Sequence, residues 1–311
     1  MFIGSTAILL PLNNTTWRKL TPGIEGEFFT NAGDTVQLRA ISDYLGGNGG
    51  FSPFGNIEGK YNVKGNIMSL LYAEDFEGQT DLNGMNYAFK KLFYNCNNLV
   101  NAKDLVLPAT TLADSCYSYM FYGCTSLTTA PELPATILAP SCYNGMFFGC
   151  TSLTTAPELP ATTLANYCYL NMFYGCTSLT TAPELLATTL TNYCYLNMFY
   201  GCTSLTAAPE LKATTLASSC YDAMFNGCTS LTIAPELPAT TLANYCYAYM
   251  FYNCGNLNYI KMLATNISAG GCLSNWVKGV ASSGTFVKNA NMASLPNGVS
   301  GIPNGWTVEN V

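Results

Sequence analysis

Histidine is absent from this 311-residue chain, and charged residues make up only 10 % of it, against a usual ~25 %. Without histidine, neither Ser-His-Asp nor Cys-His nucleophilic catalysis can be assembled, and the commonest metal ligand is missing. No run of 18 apolar residues occurs, so no segment reads as a membrane-spanning helix. Positive charge is scarce: 12 Lys and Arg against 18 Asp and Glu leave a net charge of −6. That excludes the basic footprint of nucleic-acid recognition. The 14 cysteines contain no C-x-x-C pair, so the spacing of zinc fingers and ribbons is also lacking. No cofactor and no metal is expected. What the chain does have is apolar mass, at 49 % hydrophobic and 13 % aromatic residues, which excludes disorder.

That mass is distributed with a strict period. Met120, Met146, Met172, Met198, Met224 and Met250 are each 26 residues apart. Cys116, Cys142, Cys168, Cys194, Cys220 and Cys246 keep the step, as do Cys124, Cys150, Cys176, Cys202, Cys228 and Cys254. A representative unit is CYLNMFYGCTSLTTAPELLATTLTN, Cys168 to Asn192. Cys168, Met172 and Cys176 at i, i+4 and i+8 predict a short helical segment with one buried face, ended by Gly175. The threonine-rich stretch that follows, with Leu179, Ala182 and Leu185 inward, predicts a short strand stopping near Pro183. One strand and one helical piece in such a unit make an α/β solenoid of short parallel strands, each unit touching only its neighbours. Cys168, Met172, Phe173, Cys176, Leu179 and Leu185 are its predicted core.

The array is predicted to span residues 81–280, with atypical units at its ends. Leu92-Phe93-Tyr94-Asn95-Cys96 matches a unit, but Ala88 stands where the first cysteine belongs. The 28 residues from Cys96 to Cys124 imply a two-residue insertion around Lys103–Leu107. Cys272 keeps the period, whereas Trp276 replaces the methionine and Val280 the second cysteine. Residues 281–311 read as a capping segment. Residues 1–80 do not repeat. Thr16-Trp17, Asp34–Arg39, Lys60–Val63 and Ile67–Tyr72 are strand-like runs, Gly65-Asn66 reads as a turn, and a small all-β module or cap is expected.

The string MFYGCTSLTTAPELPATILA, Met120 to Ala139, with its G-C-x-x-L step and following proline, resembles the BspA-like leucine-rich repeats of bacterial surface proteins, Bacteroidetes proteins especially. The resemblance covers roughly residues 80–280 and implies a leucine-rich-repeat fold. The tail GTFVKNANMASLPNGVSGIPNGWTV is similar to terminal segments of such proteins. The resemblance implies a surface adhesin or host-interaction protein, and similar arrays occur in prophage-associated proteins.

Candidate sites follow from the columns. The cysteine columns read as a reduced, buried ladder, because free cysteine packs as a small hydrophobe. Glu132, Glu158, Glu184, Glu210 and Glu236, each after a proline, read either as an acidic or cation-binding stripe or as a solvated turn. The tyrosines after each first cysteine (Tyr117, Tyr143, Tyr169, Tyr195, Tyr221, Tyr247) read as core or core margin, with a sugar-stacking surface as the alternative. Positions that vary between units, Tyr119, Tyr167, Tyr193, Tyr245 and Tyr249 among them, are candidate contacts because the core does not dictate them. The uniform Thr-Thr pairs favour a repeating ligand. With catalytic chemistry missing, the expectation is a non-catalytic binding or adhesion protein, cell-surface or secreted, whose partner is a host or bacterial surface protein or polysaccharide. The alternative is a virion-associated phage or prophage receptor-binding protein, raised by a start, MFIGSTAILLPLNN, in which no signal peptide is visible.

Overall fold

The computed structural model describes residues 9–12, 16–19, 52, 54, 57, 59–292 and 294–311. Strands β1 (Leu9–Leu12) and β2 (Thr16–Lys19) form an antiparallel hairpin. Most of the expected N-terminal module, including Asp34–Arg39, lies outside the described residues.

The regular units stack into a solenoid, but the segment from Cys168 to Cys176 is not helical, contrary to expectation. It is a ribbon of overlapping four-residue turns. The N–H groups of Cys168, Leu170, Met172, Tyr174 and Cys176 each donate to the carbonyl three residues back, at 3.1–3.3 Å. The N–H groups of Tyr167, Tyr169, Asn171, Phe173 and Gly175 donate instead to Asn192, Cys194, Leu196, Met198 and Tyr200 of the next unit, at 2.7–3.2 Å. Every donor in the ribbon is thus satisfied, half of them locally and half by stacking, as a buried backbone requires. The left-handed conformation recurs every fourth residue, at Tyr167 (φ 60°), Asn171 (55°) and Gly175 (69°). An α-helix cannot contain it. A four-residue period and a 3.6-residue period both place Cys168, Met172 and Cys176 on one face, which is why spacing suggested a helix. Gly175 closes the third turn of this series rather than capping a helix.

Each turn buries two residues and leaves two facing out: Cys168 and Tyr169 in, Leu170 and Asn171 out, Met172 and Phe173 in, Tyr174 and Gly175 out. Cys168, Met172, Phe173, Cys176 and Leu179 are fully buried, and Leu185 is 3 % exposed. The phenylalanines stack from Phe93 to Phe251 at 5.3–5.8 Å between ring centroids.

The predicted strands are also reduced. In the regular units they are single parallel bridges, such as Thr155 to Thr181 and Thr189 to Thr215. Proline is the cause: it offers no N–H to a ladder, and five successive units carry Ala-Pro-Glu-Leu. Further parallel bridges join Leu185 to Leu211 and Leu237 to Met262.

True strands form at the ends of the array, where the segments are proline-free. β3 (Tyr61–Asn66) pairs in parallel with β4 (Leu99–Val106), with register shifts after Tyr61 and Asn62. β4 thus contains most of the predicted insertion. Gly65-Asn66 lies within β3 rather than in a turn, because its backbone pairs with Leu105-Val106. The Ile67–Tyr72 run contains not a strand but the one-turn helix α1 (Ser69–Tyr72), started where the Asn66 side chain accepts the Met68 N–H at 2.9 Å. Ile67, Met68 and Leu71 join the common core. At the other end, β5 (Tyr259–Met262), β6 (Thr285–Lys288) and β7 (Thr307–Asn310) form a parallel sheet in that order. Trp276 fills the methionine position, tilts against Phe251, and donates its indole N–H to Gly301 at 2.9 Å.

Candidate binding surfaces

The outward pairs of each turn form columns along the solenoid. The first holds Tyr87, Ser115, Ser141, Tyr167, Tyr193, Ser219, Tyr245 and Gly271, and all but Gly271 are non-glycine residues with positive φ. Tyr167 and Tyr193 stack at 4.8 Å. Tyr245 is 52 % exposed and leans over Gly271, where a Cβ would meet its ring at 2.4 Å. The second column contains Tyr119, which leans over Gly145 in the same way, and Tyr249, whose hydroxyl accepts from the Asn275 amide at 3.4 Å. Between them, Asn197 donates its amide to Asn171 at 3.0 Å.

A third column was not singled out from the sequence: Tyr94, Tyr122, Phe148, Tyr174 and Tyr200, stacked at 4.3–4.7 Å. These rings are half-buried. Their signal was present in the residue after each unit's phenylalanine, but only the turn ribbon shows that this residue faces outward. The tyrosines that follow the first cysteines behave otherwise. Tyr117, Tyr143, Tyr169, Tyr195, Tyr221 and Tyr247 are each 1 % exposed. The Tyr117 and Tyr169 hydroxyls find no partner among the described residues. Their sugar-stacking alternative is closed, because both faces of each inner ring lie against neighbouring rings inside the core.

The glutamates Glu132, Glu158, Glu184, Glu210 and Glu236 are all exposed. Glu236 pairs with Lys261 at 2.9 Å and Glu210 with Lys212 at 3.7 Å. Such open pairs contribute little. Alongside them run two rows of exposed threonines, Thr154-Thr155 and Thr180-Thr181 in one, Thr162-Thr163, Thr188-Thr189, Thr214-Thr215 and Thr240-Thr241 in the other. Ile137 and Ile233 interrupt these rows and are about three-fifths exposed, at 60 % and 59 %.

All 14 cysteines are free and buried. From Cys124 to Cys254, each second-column thiol donates to a phenylalanine carbonyl of the preceding unit, at 3.0–3.1 Å, Cys176 to Phe147 for example. Burial pushes the thiols up, Cys116 and Cys202 to about 12. A thiol so held is neither a nucleophile nor a metal ligand near neutral pH.

Sealed columns inside and varied residues outside define a class, the solenoid scaffold that works through its surface. Within that class the chain belongs to the BspA-type leucine-rich-repeat family. The description "BspA type Leucine rich repeat region (6 copies)" matches residues 83–206 and 143–273, together more than half of the chain. Repeat regions of this family are typically non-catalytic, protein-binding, and carried by surface or secreted proteins. Among the described residues no helix is long and apolar enough to cross a membrane. No curated protein and no solved structure matches the chain.

Proposed function

We propose that this chain is a non-catalytic extracellular binding protein whose array takes a repeating ligand, a polysaccharide of a host or bacterial surface. The observation that carries this reading is the exposed row Thr162-Thr163, Thr188-Thr189, Thr214-Thr215 and Thr240-Thr241, repeated in four successive units, with the shorter row Thr154-Thr155 and Thr180-Thr181 beside it. A hydroxyl both donates and accepts, so these four units offer the same weak, uncharged contact. A polymer that engages several units at once gains by effective concentration what no single contact supplies. A protein epitope, which does not repeat, has no use for that uniformity.

The test is binding of purified surface polysaccharides by biolayer interferometry, for the intact chain and for a variant lacking residues 165–216, two complete units. Affinity for long polymer is expected to fall severalfold on shortening. Unchanged affinity, or a full-length chain that binds proteins and no polysaccharide, overturns the reading.

A further inference from the structure

Two consecutive units carry the same outward residues. Residues 166–179 and 192–205 both read NYCYLNMFYGCTSL, so each outward side chain of the first meets its own copy in the second. Two tyrosine pairs result. Tyr167 and Tyr193 stack at 4.8 Å with their planes 4° apart, and Tyr174 and Tyr200 at 4.4 Å and 3°. The Tyr174 hydroxyl also hydrogen-bonds that of Tyr200. The ring carbons ortho to the two hydroxyls therefore lie opposite one another as well. Tyr167 is 38 % exposed, and the other three rings are half-buried.

These phenols are the oxidisable groups that solvent reaches at this place in the array. The cysteines are all free and buried, so none ties one unit to another, and Trp276 and Trp306 are buried too. The inner tyrosine column is closed in the same way. Tyr143, Tyr169 and Tyr195 are each 1 % exposed and their rings stand 5.8 Å apart. A phenol that loses an electron must also pass its proton to an acceptor. Water serves the outer rings, whereas the Tyr169 hydroxyl has no partner among the described residues.

We propose that the double tyrosine contact between these two units is a site of oxidative cross-linking, in which a peroxidase and hydrogen peroxide join Tyr167 to Tyr193 or Tyr174 to Tyr200 as dityrosine. Each phenol gives up one electron and its hydroxyl proton. The two phenoxyl radicals form one carbon–carbon bond, ortho carbon to ortho carbon, and the two ortho hydrogens move as protons to the ring oxygens. The two electrons and two protons removed overall reduce one peroxide to two waters. Stacked rings must tilt edge to edge to make the bond, and side chains on the outer surface have that freedom. The link closes a loop of one repeat, and so restricts the unfolded chain as a disulfide does. It goes beyond the polysaccharide reading and does not depend on it.

The experiment treats the intact chain, in dilute solution, with a haem peroxidase and hydrogen peroxide. Products are separated on a denaturing gel, and the monomer band is digested and mapped by mass spectrometry for linked tyrosine peptides. The 167–193 or the 174–200 link is expected in the monomer, in about tenfold or greater excess over links that join two chains, because neighbours held in place react at high effective concentration. The double variant Tyr193→Phe, Tyr200→Phe should lose both links. Phenylalanine already stands in the second of these columns at Phe148, and the substitution keeps the stacked rings. Neither link in the natural chain, links formed only between chains, or a Tyr143–Tyr169 link in comparable yield overturns the proposal.

Discussion

A cysteine in this array does the work of a small apolar residue with one directed hydrogen bond. Cys176 is fully buried and gives its S–H to Phe147 of the unit before, so the thiol links neighbours as well as filling space. The same burial fixes its response to pH. A thiol whose folded pKa lies above its unfolded value supports the fold fully below the unfolded pKa, and that support is lost as pH rises through the folded one. With ordinary values near 9 and folded values at about 12 for Cys116, Cys194 and Cys202, stability should hold from pH 6 to 9 and then fall steadily. Denaturant midpoints at pH 7, 9 and 10.5 check this. Equal midpoints at pH 7 and 10.5, with rapid labelling of native thiols at pH 8, would show that the cysteines are not core. That cysteine is buried here was legible from its columns. That its proton points at a phenylalanine carbonyl was not, because the acceptor lies 29 residues away.

At the scale of the element, the turn ribbon replaces a helix because half of its N–H groups find partners in the next unit. Its cost is one left-handed residue in every four, and the sequence meets it with Asn171 and Gly175, residue types that visit that region most readily. Gly175 has room: a Cβ there would meet Gly149 at 3.9 Å, an ordinary contact. The backbone conformation alone should therefore set the cost of Gly175→Ala, about 1 kcal/mol. Gly175→Asn should cost less, since Asn95 and Asn253 hold the same position at the array ends with φ of 56° and 58°. Equilibrium urea unfolding of both variants checks the order, and a cost above about 3 kcal/mol for alanine would mean that steric contact dominates. Asn and Gly four residues apart were visible in the sequence. Their meaning was hidden because a lone glycine after an apolar face also fits a helix terminus.

For the whole molecule, every unit rests on a near copy of itself, so stability is close to a sum of unit and interface terms. Removal of residues 165–190 joins Leu164 to Thr191 and restores the same contacts between the units that become neighbours. That variant should fold with an unchanged circular-dichroism spectrum per residue and a modestly lower unfolding midpoint. Aggregation or loss of cooperative unfolding would show that the units are not interchangeable. The ends are different in kind. Trp276, Trp306 and the strands β5 to β7 close one side, and Trp306 gives its indole N–H to Ala281 at 2.8 Å. An open rung would expose both the apolar columns and unpaired backbone.

The amino-acid sequence by itself determined the repeat, its period, the identity of the buried columns and the family, because each of these is written as the same residue type at a constant step. It also marked the varied positions, since a residue the core does not dictate is free to change. Only the tertiary structure decided that the segment from Cys168 to Cys176 is a turn ribbon, that proline reduces the strands to single bridges, and that the tyrosine after the first cysteine lies inside while the one after phenylalanine faces out. Those choices turn on where each N–H finds its acceptor, and in this solenoid half of the ribbon's acceptors belong to the next unit, about one repeat further along the chain.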